Sequence, residues 1–134
     1  MNEFDSRTYC EDAINLASKF EKNFSYSPSD IADMDEILKS IHEDYENKKI
    51  TDKNAELFAI VFGIYLGQVM LDNNLTELGY KWAIEDTGPC LAKNADNKMY
   101  PVSKTLKMII NGVEDSVKSF YDVGIAIASG KFKK

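Results

Sequence analysis

Apolar side chains recur at helical spacing over the first 50 residues and then fill one nearly uninterrupted stretch. Residues 57–71, LFAIVFGIYLGQVML, contain Gln68 as their only strongly polar side chain. At 15 residues the stretch is shorter than the roughly 20 that a helix needs to span hydrocarbon. It is also too apolar for a surface helix. The pattern therefore predicts a buried helix that forms the axis of a small globular domain.

Two amphipathic helices are predicted before this stretch. The first begins at Asp5 or Ser6 and reaches about Asn23, and the second follows the capping sequence Ser27-Pro28-Ser29-Asp30 and reaches about Asn47. Their apolar stripes consist of Tyr9, Ala13, Leu16, Ala17, Phe20 and Phe24 in the first helix, and of Ile31, Met34, Ile37, Leu38, Ile41 and Tyr45 in the second.

The buried helix is predicted to begin after a cap at Thr51 or Asp52. Ala59, Gly63 and Gly67 are spaced four residues apart, so they form a smooth groove along one face of it. An interior glycine costs about 0.5–1 kcal/mol relative to alanine, which favours a neighbour that approaches the groove closely. We expect packing within the chain to fill this groove, with a homodimer contact as the alternative.

After about residue 79, the period of the apolar residues changes from that of a helix to two residues. Tyr80, Trp82 and Ile84 alternate with other residues, as in a half-buried strand. Further strands are predicted at Pro89–Ala92 and Met99–Val102, separated by the turn Asn94–Asn97. Two more helices follow, a short one after Ser103 and a last one with its apolar face between Val113 and Ala128. Residues 130–134 are predicted to be a basic tail.

The predicted fold is therefore one α+β domain over residues 1–134, mostly helical. It comprises an N-terminal helical pair at about 5–48, followed by the buried helix, the meander and the C-terminal helices at about 52–130. The small antiparallel β-meander, at about residues 79–102, lies between the third and fourth helices.

Charge is distributed unevenly along the chain. Residues 1–56 carry 14 Asp/Glu against 7 Lys/Arg, whereas residues 57–134 carry 8 against 9. Arg7 is the only arginine, which removes most of the bidentate contacts that proteins make with phosphate and guanine. We therefore expect no nucleic-acid partner. The N-terminal residues lack the pattern of a secretory signal, so we expect a cytoplasmic protein that does not associate with membranes.

Candidate catalytic residues are few. Asp86-Thr87-Gly88 matches the triplet of aspartic proteases, but a hairpin turn explains the same residues. Cys90 could act as a nucleophile with His42, the only histidine, although Cys10 and Cys90 are better explained as unpaired thiols that fill space. We find no spacing typical of metal ligands, so we expect no metal and no cofactor.

The second helix carries the most specific remaining pattern. On a helical wheel, Asp33, Glu36, Glu43 and Asp44 form one strip opposite or beside the apolar arc. Lys39 lies off the strip, at the i,i+4 spacing from Asp35 and Glu43 that permits ion pairs. An ordinary solvated face accounts for such a strip. The alternative is a surface that binds a basic partner, which would relieve the repulsion between the carboxylates and associate faster through electrostatic steering.

The second half of the chain resembles a family of small bacterial proteins of unknown function over about residues 55–121. The matching segments are Tyr65-Leu66-Gly67-Gln68-Val69, Trp82, Gly88-Pro89-Cys90-Leu91, Tyr100-Pro101-Val102-Ser103-Lys104, Asn111-Gly112-Val113-Glu114-Asp115-Ser116-Val117 and Ser119-Phe120-Tyr121. The resemblance implies a bacterial cytosolic domain and supplies no catalytic residues.

Three functions follow as hypotheses. The leading one is a non-enzymatic acidic protein that binds a basic protein partner through Asp33, Glu36, Glu43 and Asp44, in its most concrete form an immunity protein that neutralises a bacterial toxin. The second is a small enzyme or ligand-binding domain, with a pocket between the meander and the last helix near Trp82, Cys90, Tyr100 and Asp115. The third is a structural or regulatory subunit that forms a homodimer through Gly63 and Gly67.

Overall fold

The elements of the fold follow the order that the periodicity predicts. The structure, a computed structural model, describes residues 4–130. Within that range it contains the helices α1 (Arg7–Lys19), α2 (Asp30–Glu46), α3 (Asp52–Met70), α4 (Pro101–Asn111) and α5 (Val117–Ala128), and the strands β1 (Lys81–Glu85), β2 (Gly88–Asn94) and β3 (Asn97–Met99). The prediction of a mostly helical α+β fold, with a meander between the third and fourth helices, is confirmed. Of the predicted basic tail, residues 131–134 lie outside the described residues.

Helix α3 is the axis of the core. Thr51 caps it by accepting a 3.1 Å hydrogen bond from the Asn54 amide, and the Asn54 side chain accepts one in return from the Thr51 amide. The helix continues as a π-helical turn at Leu71–Leu75. Its length and apolar composition over Asp52–Leu75 would suffice to cross a membrane, but 61% of the most apolar window is buried inside the fold. Packing within the chain therefore accounts for most of the apolar surface of α3.

The glycine groove of α3 is filled from within the chain. A Cβ atom built on Gly63 would lie 2.5 Å from the Cα atom of Val102, and one on Gly67 would lie 2.5 Å from Cη2 of the Trp82 indole. The backbone of α4 and the indole therefore approach α3 as closely as the missing side chains allow. The prediction that intramolecular packing fills the groove is confirmed, and a homodimer contact there would first have to displace Val102 and Trp82.

The strands form an antiparallel meander in the order β1-β2-β3, so β3 lies at one edge. Asp86 and Thr87 form the hairpin loop between the paired residues Glu85 and Gly88. The third strand was predicted at Met99–Val102, which is wrong, because it ends at Met99 and α4 begins at Pro101. Proline at the first helical position has the φ angle that a helix needs and lacks an N–H that would go unsatisfied.

Helix α2 begins two residues later than the Ser-Pro sequence alone suggests. The buried carboxylate of Asp30 accepts hydrogen bonds from the Ser25 and Ser27 amides and from the Tyr65 hydroxyl. These contacts fix the loop between α1 and α2 against α3. Helix α1 is also shorter than predicted, since it ends at Lys19 rather than near Asn23.

The last predicted helix is divided in two. Val113–Asp115 form a 3₁₀ turn, and α5 begins at Val117 after Ser116, whose hydroxyl accepts a 3.2 Å hydrogen bond from the Ser119 amide. This serine cap breaks the helical pattern that the apolar spacing suggests. The hydrophobic core that results draws on α1 through α5 and on the sheet, with Ala13, Met34, Leu66, Leu91, Met108 and Tyr121 among its buried members.

Candidate functional site

The four predicted partner-binding residues lie on α2, and we call them the α2 acidic surface: Asp33, Glu36, Glu43 and Asp44. Glu36 and Glu43 are exposed, and Asp33 and Asp44 are half-buried. The opposite face of the helix buries Ile31, Met34, Ile37, Leu38 and Ile41 in the core. The amphipathic pattern of the sequence thus places these carboxylates outside the core.

Lys22 occupies the N-terminal half of this surface. Its Nζ atom lies 2.8 Å from a Glu36 carboxylate oxygen and 3.6 Å from one of Asp33. The hydrogen bond with Glu36 raises the pKa of Lys22, so the lysine stays charged. Because Lys22 follows α1 in sequence, these ion pairs join the α1–α2 loop to the face of α2. The N-terminal half of the surface is therefore partly neutralised within the chain.

As far as the structure describes the chain, the C-terminal half of the surface lacks such ion pairs. Glu43, Asp44 and the neighbouring Glu46 lie in the last turn of α2, and within residues 4–130 none of them has a lysine or arginine partner in an ion pair. The C-terminal end of a helix carries partial negative charge, so carboxylates there are unfavourable by typically 0.3–1 kcal/mol each when exposed. A cationic partner would offset this unfavourable electrostatic energy.

Asp35 has a different role from its neighbours on α2. Its carboxylate accepts hydrogen bonds of 2.6 Å from the Ser116 hydroxyl and 3.1 Å from the Lys118 amide, so it holds the N-terminal end of α5. The ion pairs predicted for Lys39 with Asp35 and Glu43 do not form in the described part of the chain. The contact with Ser116 has no local spacing that could predict it, because the two residues are 81 positions apart.

A groove does lie between the meander and the last helix, as the second hypothesis requires. We call it the β3–α5 groove; its volume is about 510 Å³, within the range of small-molecule sites. Its apolar lining includes Tyr80, Met99, Phe120 and Gly124. Val123 and Ile127 border it and are exposed by 48% and 56%. The remaining lining residues are Asp96, Asn97, Lys98, Lys104, Glu114, Ser116 and Ser119.

None of the four residues predicted near such a pocket lines this groove. Trp82 packs against Gly67 of α3, and Cys90 is fully buried in β2. Tyr100 donates a 3.0 Å hydrogen bond to Glu85 and also lines a small depression next to the groove, with Met99 and Phe120. Asp115 lies between two lining residues, Glu114 and Ser116, and forms a 2.8 Å ion pair with Lys104. The groove therefore lies between the two elements that the second hypothesis names, and its lining consists of other residues.

Glu85, Lys98 and Tyr100 form a polar cluster beside Cys90. The hydrogen bond from Lys98, and then that from Tyr100, lower the pKa of Glu85, while the same carboxylate raises the pKa values of Lys98 and Tyr100. Burial, followed by the charge of Glu85, raises the pKa of Cys90. A thiol with a raised pKa is protonated at neutral pH and is a poor nucleophile.

His42 does not activate Cys90. Its Nδ1 atom is 2.8 Å from the carbonyl oxygen of Ile109, and its ring packs against Gly112 at the C-terminal end of α4. Cys90 interacts instead with Glu85, and Glu85 also contacts Tyr100. Tyr100 immediately precedes the N-terminal end of α4, so the thiol lies near the end of α4 opposite to His42. An 11-residue helix is about 16 Å long, so the imidazole and the thiol are too far apart to exchange a proton directly.

The other cysteine is also buried. Burial raises the pKa of Cys10 to about 11, and neither cysteine forms a disulfide. The expectation of two unpaired thiols is confirmed. Across residues 4–130, no group of three or more His, Cys, Asp or Glu side chains is arranged so that it could hold a metal ion.

Comparison of the chain with protein-family models, with curated proteins and with solved structures finds no match. We therefore infer a function from the chemistry of the α2 acidic surface and of the β3–α5 groove.

Proposed function

We propose that this chain is a non-enzymatic protein that binds a basic protein partner through the α2 acidic surface. The observation that supports this proposal most strongly is the position of Glu43 and Asp44 in the last turn of α2, without a cationic partner among the described residues. Exposed carboxylates at that end of a helix reduce stability, and a cationic surface would reverse the effect. Glu36 and Asp33 extend the surface toward the other end of α2.

The most concrete form of the proposal is an immunity protein. A toxin that cleaves nucleic acid has a cationic surface for phosphate, and an acidic protein covering that surface would block its substrate. The acidic N-terminal part of the chain, with 14 Asp/Glu against 7 Lys/Arg in residues 1–56, supports this form. Cytoplasmic location and bacterial origin belong to the same proposal.

Charge reversal tests the surface. The partner is captured from cells of the source organism, purified separately and titrated with the wild-type chain and with the double variant Glu43→Lys/Asp44→Lys. Steering by opposite charges mainly sets the association rate, so we expect the variant to associate at least about tenfold more slowly and with a flatter dependence on salt.

The matched control is Glu11→Lys/Asp12→Lys on α1. It changes two adjacent exposed carboxylates in the same way and so produces the same net charge. We expect this control to associate at nearly the wild-type rate. Equal slowing of the two double variants would mean that only the net charge matters, and would refute the α2 acidic surface as the binding site. For the immunity form, co-expression with the captured partner must protect cells that the partner alone kills.

A second candidate function is ligand binding in the β3–α5 groove. The observation that favours it is the groove itself, with Val123 and Ile127 left about half exposed along one side. Screening small apolar ligands by their effect on the amide spectrum of the labelled chain tests this candidate. Shift changes confined to residues around Phe120 and Ile127 would support it, and their absence would count against it.

A further inference from the structure

The β3–α5 groove runs beside an open strand edge. β3 is the edge strand of the meander, and in residues 4–130 no hydrogen bond joins the backbone of residues 97–99 to a helix or loop. Asp96, Asn97, Lys98 and Met99 are consecutive, and all four border the groove. Successive side chains of a strand point to opposite faces, so a groove bordered by four in a row follows the strand edge. An unpaired edge of this kind can accept another strand.

Helix α5 presents an apolar stripe on the other side of the groove. Phe120, Val123 and Ile127 are spaced three and four residues apart, so they lie along one face of the helix. That face adjoins the core face, which buries Val117, Tyr121 and Gly124. The stripe would pack against apolar side chains of whatever pairs with β3.

The unbalanced charge at the groove is negative. Of its two lysines, Lys98 is bound by Glu85 and Lys104 by Asp115, and neither carboxylate borders the groove. The two carboxylates that do border it, Asp96 and Glu114, take part in no ion pair within the described residues. The groove therefore complements an apolar ligand that also carries positive charge.

We propose that the β3–α5 groove binds an extended segment of a partner protein, which adds to β3 as a strand and places aliphatic side chains between lysines or arginines. From Ser116 to Ile127 α5 is about 16 Å long, which corresponds to roughly five residues of extended chain. Main-chain hydrogen bonds to β3 supply affinity and the α5 stripe supplies selectivity. The inference rests on the second candidate function, whose ligand it identifies, and is independent of the α2 acidic surface.

The test uses the isotope-labelled full chain and the synthetic peptide acetyl-Lys-Leu-Lys-Val-Lys-amide. We expect the peptide to shift the amide resonances of residues 97–99 and 120–127 and to leave those of residues 33–44 unchanged. An analogue with Glu in place of Lys, and one with alternate amide nitrogens methylated, should each bind at least about tenfold more weakly. The first analogue tests the charge, and the second tests the strand pairing.

Matched variants locate the two interactions. Asp96→Lys/Glu114→Lys should weaken binding roughly fivefold, whereas Glu77→Lys/Asp86→Lys, with the same change of charge at exposed positions outside the groove, should not. Ile127→Ser should weaken it roughly tenfold, whereas Leu57→Ser, at a similarly exposed position on α3, should not.

Three results would overturn the inference. The first is the absence of any shift at these positions up to the solubility limit of the peptide, and the second is equal binding of the acidic or the methylated analogue. The third is a set of shifts that depend on protein concentration without peptide, which would identify a second copy of the chain as the occupant. If small apolar ligands shift the groove residues and the peptide does not, ligand binding survives and the strand-addition inference fails. Slower binding of the Glu43→Lys/Asp44→Lys variant to its partner concerns the α2 acidic surface alone. It bears neither on ligand binding in the groove nor on the addition of a strand to β3.

Discussion

The indole Nε1 of Trp82 donates a 2.9 Å hydrogen bond to Oε1 of Gln68. The same oxygen accepts a 2.6 Å hydrogen bond from the Ser6 hydroxyl, and the Gln68 amide nitrogen donates to Asp72 over 2.8 Å. The only strongly polar side chain of the apolar stretch thus joins the start of α1, the meander and α3 through one amide group. Its hydrogen bonds explain why a polar residue is tolerated in that stretch.

Replacing Gln68 with leucine should therefore destabilise the fold although the substitution makes α3 more apolar. It leaves the half-buried Trp82 and Ser6 donors without their acceptor, which we expect to lower the free energy of unfolding by about 2 kcal/mol. Urea unfolding measures the change. Ser6→Ala removes only one donor and should cost less, about 1 kcal/mol. A Gln68→Leu chain as stable as the wild type would mean that water satisfies both donors.

The close approach of α4 to α3 gives a second prediction. Gly63→Ala should lower the free energy of unfolding by about 2 kcal/mol, because the new methyl group would meet the Val102 backbone, which cannot move without shifting α4. Thermal and urea unfolding measure the loss.

Gly124→Ala is the matched control for this prediction. A Cβ atom there would lie 3.2 Å from Cε of Met70 and 3.3 Å from Sδ of Met99, and flexible methionine ends can move aside. We expect its stability to change by less than about 1 kcal/mol, since the gain in helix propensity offsets the crowding. Equal losses in the two variants would contradict the distinction between a backbone neighbour and a side-chain neighbour.

Patterns of apolar residues predicted most of the fold. The spacing of Ile31, Met34, Ile37, Leu38 and Ile41 identified the buried face of α2, and all five are buried. The glycine spacing on α3 predicted a close neighbour, which the structure supplies at Gly63 and Gly67. These features depend on local periodicity, which the sequence displays directly.

Contacts between distant residues could not be predicted in the same way. Lys22 reaches Glu36 across the α1–α2 loop, and Asp35 caps α5 from another helix, so neither pairing has a local spacing. The lining of the β3–α5 groove depends likewise on where β3 ends, and Pro101 ends it earlier than the apolar pattern suggests. The sequence shows the carboxylates of the α2 acidic surface directly, but it does not show that Lys22 pairs with two of them.

Thiol labelling gives a third prediction. Cys10, with a pKa of about 11, has roughly one thiol in a thousand ionised at about pH 8, and both cysteines are buried. We expect a disulfide reagent such as Ellman's to react slowly with the native chain and rapidly with both thiols in urea. Variants with a single cysteine, Cys10→Ala and Cys90→Ala, assign the rates. Labelling of Cys90 in the native state as fast as free cysteine would favour the small-enzyme hypothesis.

The ion pair of Lys104 with Asp115 gives a prediction about acid stability. The hydrogen bond from Lys104, and then that from Asn111, lower the pKa of Asp115 below its ordinary value of about 4. The unfolded chain therefore binds this proton at a higher pH than the folded chain does. The contribution of Asp115 to stability is complete above the ordinary aspartate pKa and is lost as the pH falls toward the lowered one.

Asp115→Asn should consequently lose stability at neutral pH and show a weaker decline of stability between about pH 5 and pH 2. Urea unfolding at a series of pH values measures both effects. Asp96→Asn removes a groove carboxylate that has no ion-pair partner in the described residues, so it should retain the wild-type decline. If Asp115→Asn declined as steeply as the wild type, the contact with Lys104 would not favour the ionised carboxylate. Lys104 would then be free to bind acidic ligands at the β3–α5 groove, which would weaken the case for a basic segment there.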